Sequence, residues 1–334
     1  MASKTLHNAR LAKEDEFYTQ IADIERELRY YKQHFKDKVI FCNCDDPETS
    51  NFWKYFELLF EDLGIKKLVS THFDAEKPTY KLELMKDVNR DGKITDKDII
   101  KTPLQQNGDF RSPECIEILK EADIIITNPP FSLFREYVAQ LIEYDKKFLI
   151  IGNQNAVAYK EIFPLIKANK IWLGYYSGNM EFKVPEYYEE RVSRYWVDET
   201  GQKWRSMGNI CWYSNLDIAK RHDNLILYKQ FNDNDYPHYE NYEGIDVGAV
   251  KDIPVDYYGV MGVPITFLNV YNPAQFEIVG LGSGYLGQSI GIKGIDPEHK
   301  KMMKGHSAAG DLYFIKNGVP KVPYTRILIR RKQQ

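Results

Sequence analysis

Apolar residues along the first 150 positions of this chain alternate between two patterns. Short runs bounded by turn signals read as strands: Lys38-Val39-Ile40-Phe41-Cys42-Asn43-Cys44, Lys67-Leu68-Val69-Ser70-Thr71, Asp123-Ile124-Ile125-Ile126-Thr127 and Lys147–Asn153. Between them the apolar positions return every three or four residues, the stripe of an amphipathic helix. One such stripe is Ile21, Ile24, Leu28 and Tyr31. A second is Phe52, Tyr55, Phe56, Leu59 and Phe60, opened by Ser50 and closed by Gly64. A third is Phe134, Tyr137, Val138, Leu141 and Ile142. Ser suits a helix N-cap and Gly the left-handed residue after a helix. Strand, helix and strand of these lengths make βαβ units, so the spacing predicts an α/β fold with a parallel sheet.

Residues 74–107 break the alternation and read as an insertion, after which Gly108-Asp109-Phe110 leads into a helix over 112–121. Beyond about residue 170 the pattern turns β-like and irregular, with short strands at Lys170–Leu173, Ile210–Tyr213, Gln275–Val279 and Arg326–Ile329. The expected organisation is a polar, flexible arm over 1–14, a core over 15–216 carrying the 74–107 insertion, and a β-rich accessory region over 217–334. There is no internal repeat and no low-complexity tract.

Composition narrows the function. With 334 residues and 43% apolar content the chain can bury a sizeable core, and a net charge of −3 gives no global basic footprint, so any nucleic-acid contact has to be local. The 24 tyrosines supply stacking area with a polar tip. Cys42, Cys44, Cys115 and Cys211 match no zinc spacing; Cys42 and Cys44, two apart on one predicted strand, read as small buried hydrophobes on a shared face. The first seventeen residues lack the apolar core of a signal peptide and no run of eighteen apolar residues occurs, so the expected setting is the reducing cytoplasm, without a membrane.

The most informative segment is Asn128-Pro129-Pro130-Phe131, placed where a buried strand ends and a loop turns toward a helix. Open α/β sheets bind ligands there, outside the carboxyl ends of their strands. An Asn side-chain oxygen can accept one hydrogen of an exocyclic amine, and the following backbone carbonyl can accept the other. Two prolines stiffen the loop, since each fixes φ and donates no N–H. The aromatic ring offers a face on which a planar base or amide can stack. The competing reading is a Pro-rich turn; the strand before the tetrapeptide, the aromatic within it and the helix after it favour the functional one.

This tetrapeptide resembles the Asn-Pro-Pro-Tyr/Phe motif of S-adenosylmethionine-dependent amino-methyltransferases. Further segments are similar to the EcoRI-type adenine-specific DNA methyltransferases: Cys42-Asn43-Cys44-Asp45-Asp46-Pro47, Thr127 through Tyr137, Trp204 through Trp212, and Gly259 through Phe267. Phe17-Tyr18-Thr19-Gln20 resembles the Phe-x-Thr-Pro segment of adenine methyltransferases, with Gln20 in place of Pro. The resemblance spans nearly the whole chain. One departure is plain: the family's glycine-rich loop after the first strand is replaced by Asp45 through Phe52, so the close backbone approach that glycine allows has to be made differently, with the helix that Ser50 caps as the alternative.

The resemblance implies a Rossmann-like methyltransferase core with a β-rich C-terminal recognition region, S-adenosylmethionine as cofactor and double-stranded DNA as substrate. It assigns the amine to Asn128 and the Pro129 carbonyl, rigidity to Pro130, and stacking on a flipped adenine to Phe131. For the cofactor it nominates Asp109 for the adenine amine, Phe110 for the ring, Asp74 for the ribose, Asp45 and Asp46 for the ammonium, and Tyr18 and Thr19 as closing residues. Each has a plainer alternative: Asp109 as a helix cap or turn, Asp45 and Asp46 as a solvated turn, Tyr18 and Thr19 as a packed helix start. Methylation of a glutamine or of RNA, and a DNA-binding homologue without activity, are the other readings.

Three surface features complete the picture. Residues 184–209 interleave Arg191, Arg194, Lys203 and Arg205 with Tyr195 and Trp204, a mixture suited to phosphate contacts and base insertion, or else a solvated β surface. Arg326, Arg330, Arg331 and Lys332 could add phosphate contacts. Asp87-Val88-Asn89-Arg90-Asp91-Gly92 through Asp98 matches a calcium loop with Asp87, Asn89, Asp91 and Asp98 as ligands, though position 12 is Asp and no strong helix leads in; a solvated Asp-Gly turn is favoured over an occupied metal site. A monomer is expected, with a cognate restriction endonuclease encoded nearby as a partner without a physical complex.

Overall fold

The computed structural model describes residues 17–44, 46–74, 78–85, 94–303 and 307–333. The chain folds as two compact units, one made of the described residues up to Asn155 with Leu173–Leu216, the other of Ala156–Trp172 with the residues from Asp217 onward.

The first unit is built on one large sheet. Its strands in chain order are β1 (Tyr18–Thr19), β2 (Val39–Cys42), β3 (Lys67–Thr71), β4 (Tyr80–Leu84), β5 (Ile100–Pro103), β6 (Ile124–Thr127), β7 (Lys147–Asn153), β8 (Trp172–Lys183), β9 (Tyr195–Val197) and β10 (Lys203–Ser214). They lie in the order β1-β8-β10-β7-β6-β2-β3-β4-β5, with β9 paired to β10 off that path. β7, β6, β2 and β3 run parallel, and β10 joins β7 antiparallel. Among the described residues this unit has four α-helices: α1 (Ile21–Leu28), α2 (Asn51–Leu58), α3 (Pro113–Glu121) and α4 (Phe134–Glu143). α2 links β2 to β3 on one side; the chain then crosses back to β6 on the other side of β2. The strand order therefore reverses between β2 and β6, the place where doubly wound sheets bind ligands.

The physical reasons are local. Every residue of β6 is buried, and β7 buries five consecutive residues, as strands covered on both faces must. The Ser50 hydroxyl accepts from the Phe52 and Trp53 amides and starts α2, and Ser112 does the same for α3 through Cys115. Phe52 and Phe56 of α2 and Tyr137, Val138 and Leu141 of α4 are buried, each such side chain contributing about 1.5–3 kcal/mol relative to exposure. The fully buried Glu27 of α1 accepts from the Tyr175 and Tyr176 amides at 2.7 Å and from the Tyr31 hydroxyl at 2.9 Å. A Cβ at Gly174 would stand 2.2 Å from that carboxylate, so glycine is needed where β8 meets α1.

Several sequence expectations shift. β2 ends at Cys42; Cys44 lies beyond it with φ +73°, half-buried, and shares no strand face with Cys42. α2 ends at Leu58, and turns carry the chain to Gly64, which takes φ +62° without capping the helix. Within the stretch read as an insertion, β4 and β5 extend the sheet antiparallel from β3. The strands expected near 170 and 210 are far longer, twelve residues each, because they form the long β8 and β10 of the core.

The second unit carries α5 (Phe163–Lys167), β11 (Ile245–Asp246), β12 (Met261–Pro264), β13 (Phe276–Leu281), α6 (Gly284–Ser289), α7 (Pro297–Met302), β14 (Phe314–Lys316), β15 (Val319–Lys321) and β16 (Arg326–Arg331). Its main sheet has the order β11-β12-β16-β13. Arg326 grips buried Asp246 with two hydrogen bonds of 2.8 and 3.2 Å, and the Tyr239 hydroxyl donates to the same carboxylate at 2.7 Å. Arg326 is thus an internal ion pair, not a phosphate contact: a charge this deep has to be spent on its counter-ion. No helix among the described residues is long and apolar enough to cross a membrane.

Candidate active site at the carboxyl ends of β2 and β6

β2 and β6 are in parallel register, Ile40 beside Ile124 and Phe41 beside Ile125, so Asn43 and Asn128 emerge from adjoining strand ends. The Thr127 hydroxyl donates to the Asn43 carbonyl, and the Tyr137 hydroxyl of α4 donates to Asn43 Oδ1. Burial pushes the Tyr137 phenol far up, which keeps it a donor. Two strand ends and one helix are thereby locked together under the loop that follows.

Asn128 is buried. Its Nδ2 donates to the Phe17 carbonyl at 2.7 Å, while Oδ1 is buried with no partner. Leaving a buried acceptor unmade costs about 1–3 kcal/mol, a cost that a donor from a ligand or from solvent would remove. Pro129 is buried, Pro130 is extended at φ −54° and ψ 125°, and Phe131 begins a short 3-10 turn that runs into α4. The Phe131 ring stacks on Phe17 with centroids 5.6 Å apart and planes 23° from parallel. Phe17 in turn meets Phe182 and Tyr188 edge-on at 5.6 and 6.0 Å.

Tyr18 and Thr19 form β1, paired to Lys183 and Phe182 of β8. The Thr19 hydroxyl is buried and unpartnered, and its carbonyl accepts from Asn51 at 2.7 Å. Gln20, standing where Pro was expected, bonds back to the Tyr18 carbonyl. Beside Tyr18 a groove of about 590 Å³ is lined by Thr49, Asn51, Lys54, Lys183 and Lys203. A larger depression of about 740 Å³ lies in the second unit against Met302, Phe314 and Tyr324, and of the candidates named from the sequence it is lined by Arg326 alone.

The acidic candidates differ in their commitments. Asp46 accepts from the Tyr80 hydroxyl at 3.0 Å and the Glu48 amide at 3.1 Å, and burial beside that carboxylate raises the Tyr80 phenol. Asp74, buried after β3, donates its backbone amide to the Asn107 carbonyl at 3.2 Å. Asp109 holds Arg111 through two side-chain contacts of 2.7 and 2.6 Å and turns the chain; Arg111 also reaches Glu136 at 3.1 Å. Ser112, not Asp109, caps α3. Phe110 is buried edge-on to Tyr137 at 5.0 Å. Asp45 lies outside the described residues, as do Asp87, Asn89 and Asp91; Asp98 is buried and accepts from the Thr95 amide at 2.9 Å.

On the β9–β10 hairpin, Lys203 donates to the carbonyls of Glu186 and Tyr188 at 2.6 and 3.0 Å. Arg205 donates to the carbonyls of Ser193 and Arg194. Trp204 stacks on Trp196 and donates to Asp198 at 2.8 Å; with the Thr200 hydroxyl this holds the Asp198 carboxyl down at about 2. Tyr195 stacks on Tyr188 at 6.5 Å. Arg191 and Arg194 are exposed on the loop before β9, Arg191 over the Tyr188 ring at 5.7 Å.

Sequence reasoning missed the structural partners: the Phe17 carbonyl, the Asn43–Tyr137 pair and Arg111. Tyr137 had a signal, since a phenol inside an apolar stripe needs a buried acceptor. The Phe17 carbonyl had none, because backbone pairing at a distance of 111 residues leaves no trace in spacing.

The chain is similar to known proteins over nearly its whole length. A family model described as adenine-specific methyltransferase EcoRI matches residues 5–332. The chain is 47% identical to Type II methyltransferase M.EcoRI of Escherichia coli over 316 residues, 90% of this chain and 96% of that protein. It is 41% identical to Type II methyltransferase M.MgeORF184P of Mycoplasma genitalium over 286 residues, 82% of this chain and 84% of that one. Identity to Type II methyltransferase M.MpnI of Mycoplasma pneumoniae is 41% over 278 residues, with the same coverage of each chain.

Proposed function

The chain belongs to the EcoRI family of adenine-specific methyltransferases, and on that premise we propose that Asn128, Pro129, Pro130 and Phe131 hold an extruded adenine for methylation at N6. One observation carries the reading: the buried, unpartnered Oδ1 of Asn128 at the β2/β6 switch point. The enzyme is an adenine-specific DNA methyltransferase and DNA is its substrate; the residue roles are our assignment.

An amine inside a duplex is out of reach, so the target base has to leave the stack. Asn128 Oδ1 accepts one amine hydrogen and the Pro129 carbonyl the other. Phe131 stacks on the purine with the face opposite Phe17. The task of these groups is alignment of the nitrogen lone pair, and alignment alone can lower a bimolecular barrier by about 7–11 kcal/mol. S-adenosylmethionine, when bound, supplies the electrophilic methyl carbon. The site fits such a donor. The buried Thr19 hydroxyl lacks a partner, and Asp46 and Asp74 stand near the ends of β2 and β3, where a cofactor's ammonium and ribose would be held. Tyr18 would close over it and Phe110 pack on its ring. Asp109 would accept its adenine amine by sharing the carboxylate with Arg111.

Arg191, Arg194 and Tyr195 are assigned to the DNA backbone; Lys203, Trp204 and Arg205 support them by fixing the hairpin. A monomer in the cytoplasm suits an enzyme that methylates one strand at a time, with a cognate nuclease as the expected companion gene product. The test is methylation of plasmid DNA by the purified protein, followed by single-molecule mapping of the modified base. Methylated adenine at one recurring site is expected; no modified adenine with full cofactor supply would end the proposal.

A further inference from the structure

Extrusion of a base leaves a gap in the stack, and none of the groups assigned above fills it. We propose that Val192 is the wedge that enters the duplex in place of the extruded adenine. This rests on the assignment of the catalytic corner in the preceding section. Val192 has a relative exposure of 109%, more than any other large hydrophobic side chain among the described residues. Single exposed apolar residues are commonplace and mean little by themselves. Three features set this one apart.

The first is its company. The tip reads Glu189-Glu190-Arg191-Val192-Ser193-Arg194, so both neighbouring cations flank the valine, at positions suited to phosphates on either side of an opened step. The second is the investment in holding the tip out. Lys203 ties down Glu186 and Tyr188 at the start of the loop. At its end Arg205 grips the carbonyls of Ser193 and Arg194, the Ser206 amide bonds the Arg194 carbonyl at 2.9 Å, and Arg194 adopts φ +56°. A non-glycine residue in the left-handed region costs about 1–3 kcal/mol, a strain that the surrounding bonds sustain. The third is the route to the catalytic corner. Arg191 lies over Tyr188, Tyr188 meets Phe17, and Phe17 stacks on Phe131. A continuous run of ring contacts thus joins the tip to Phe131, the residue assigned to receive the base.

An apolar wedge inserted between base steps is the usual device of proteins that unstack DNA, and branched aliphatic side chains serve it. Val192 supplies the apolar surface and the two arginines the electrostatic grip.

The experiment compares single-turnover methylation by the full-length protein and its Val192→Gly and Val192→Ile variants on two duplexes carrying the site found by plasmid mapping. One duplex is fully paired; the other has an abasic residue opposite the target adenine, so the base is already loose. Val192 is wholly exposed, so neither variant should disturb folding. Val192→Gly is expected to slow transfer on the paired duplex about thirtyfold, with Val192→Ile close to unaltered, because the cost of unstacking a step is no longer offset. On the abasic duplex Val192→Gly should return to within about threefold of the unaltered protein. Unchanged transfer by Val192→Gly on paired DNA, or an equal loss on both duplexes, overturns the wedge. If the unaltered protein methylated neither duplex, the catalytic assignment itself would be at fault.

Discussion

The Tyr137 hydroxyl donates to Asn43 Oδ1, joining the first turns of α4 to the end of β2. Both residues are fully or almost fully buried. Tyr137→Phe would leave that oxygen unpaired and cost about 1–3 kcal/mol. For a unit of this size the melting temperature should fall by about 2–4 °C per kcal/mol lost. The pH dependence has a fixed sign. Burial raises the Tyr137 pKa well above 10.0, so the folded state holds this proton more tightly than the unfolded chain does. Stability from this group is complete below about pH 10 and declines as pH rises beyond it. Thermal melts from pH 8 to 11 should show a steeper alkaline loss in the unaltered protein than in Tyr137→Phe; equal slopes would refute the account.

Asn128→Ala should abolish transfer while sparing binding. Single-turnover methylation should fall by at least about a hundredfold, since misplacing a reacting group by even 1 Å costs that much. DNA and cofactor dissociation constants should stay within about threefold, because neither ligand depends on the amide for its main contacts. Asn128→Asp is a sharper probe. It keeps an acceptor toward the amine but sets a carboxylate against the Phe17 carbonyl, in place of the 2.7 Å hydrogen bond. It too should be slow, and full activity in either variant would mean that the amine is held elsewhere.

The loop after β6 was legible in the sequence because its signals are local. Asn128 through Phe131 sit between an apolar run and a helical stripe, and β6 and α4 fall where that spacing puts them. The order of the strands was not readable. The reversal between β2 and β6 depends on pairing across 84 residues, such as the Thr127–Asn43 bond. The partners of the candidate cofactor carboxylates were not readable either. Asp109 looked open in sequence, yet Arg111 occupies it, and a charge two residues away is equally compatible with a solvated turn. The absent glycine loop was a true departure, and Cys44 takes the left-handed conformation at the end of β2 that glycine would adopt without strain.

Asp109→Ala separates a cofactor role from a turn role. The Asp109–Arg111 pair is partly exposed, with side-chain accessibilities of 18% and 31%, so its loss should cost no more than about 1 kcal/mol of stability. If the carboxylate also receives the cofactor's adenine amine, cofactor affinity should drop about tenfold or more while DNA affinity holds, in keeping with the loss of a charge-assisted hydrogen bond. Titration calorimetry reads the first quantity and thermal denaturation the second. A melting point lowered with no change in cofactor affinity would reduce Asp109 to the anchor of the turn before α3.

Arg194 and Lys203 should respond differently to salt although both were read as DNA contacts. The Lys203 ammonium is already bonded to the Glu186 and Tyr188 carbonyls. Lys203→Ala therefore loosens the loop that carries Arg191 and Arg194, and should alter hydrogen exchange in residues 185–194. Arg194 is an exposed residue of the loop before β9. If it neutralises a phosphate, Arg194→Ala should weaken binding similarly on all sequences and reduce the slope of log K against log salt by about 1. Lys203→Ala should weaken binding too, but with a slope changed far less, because the lost charge was serving backbone carbonyls. Equilibrium binding to one duplex from 50 to 300 mM salt distinguishes them, and an unchanged slope for Arg194→Ala would remove that residue from the DNA-contacting face.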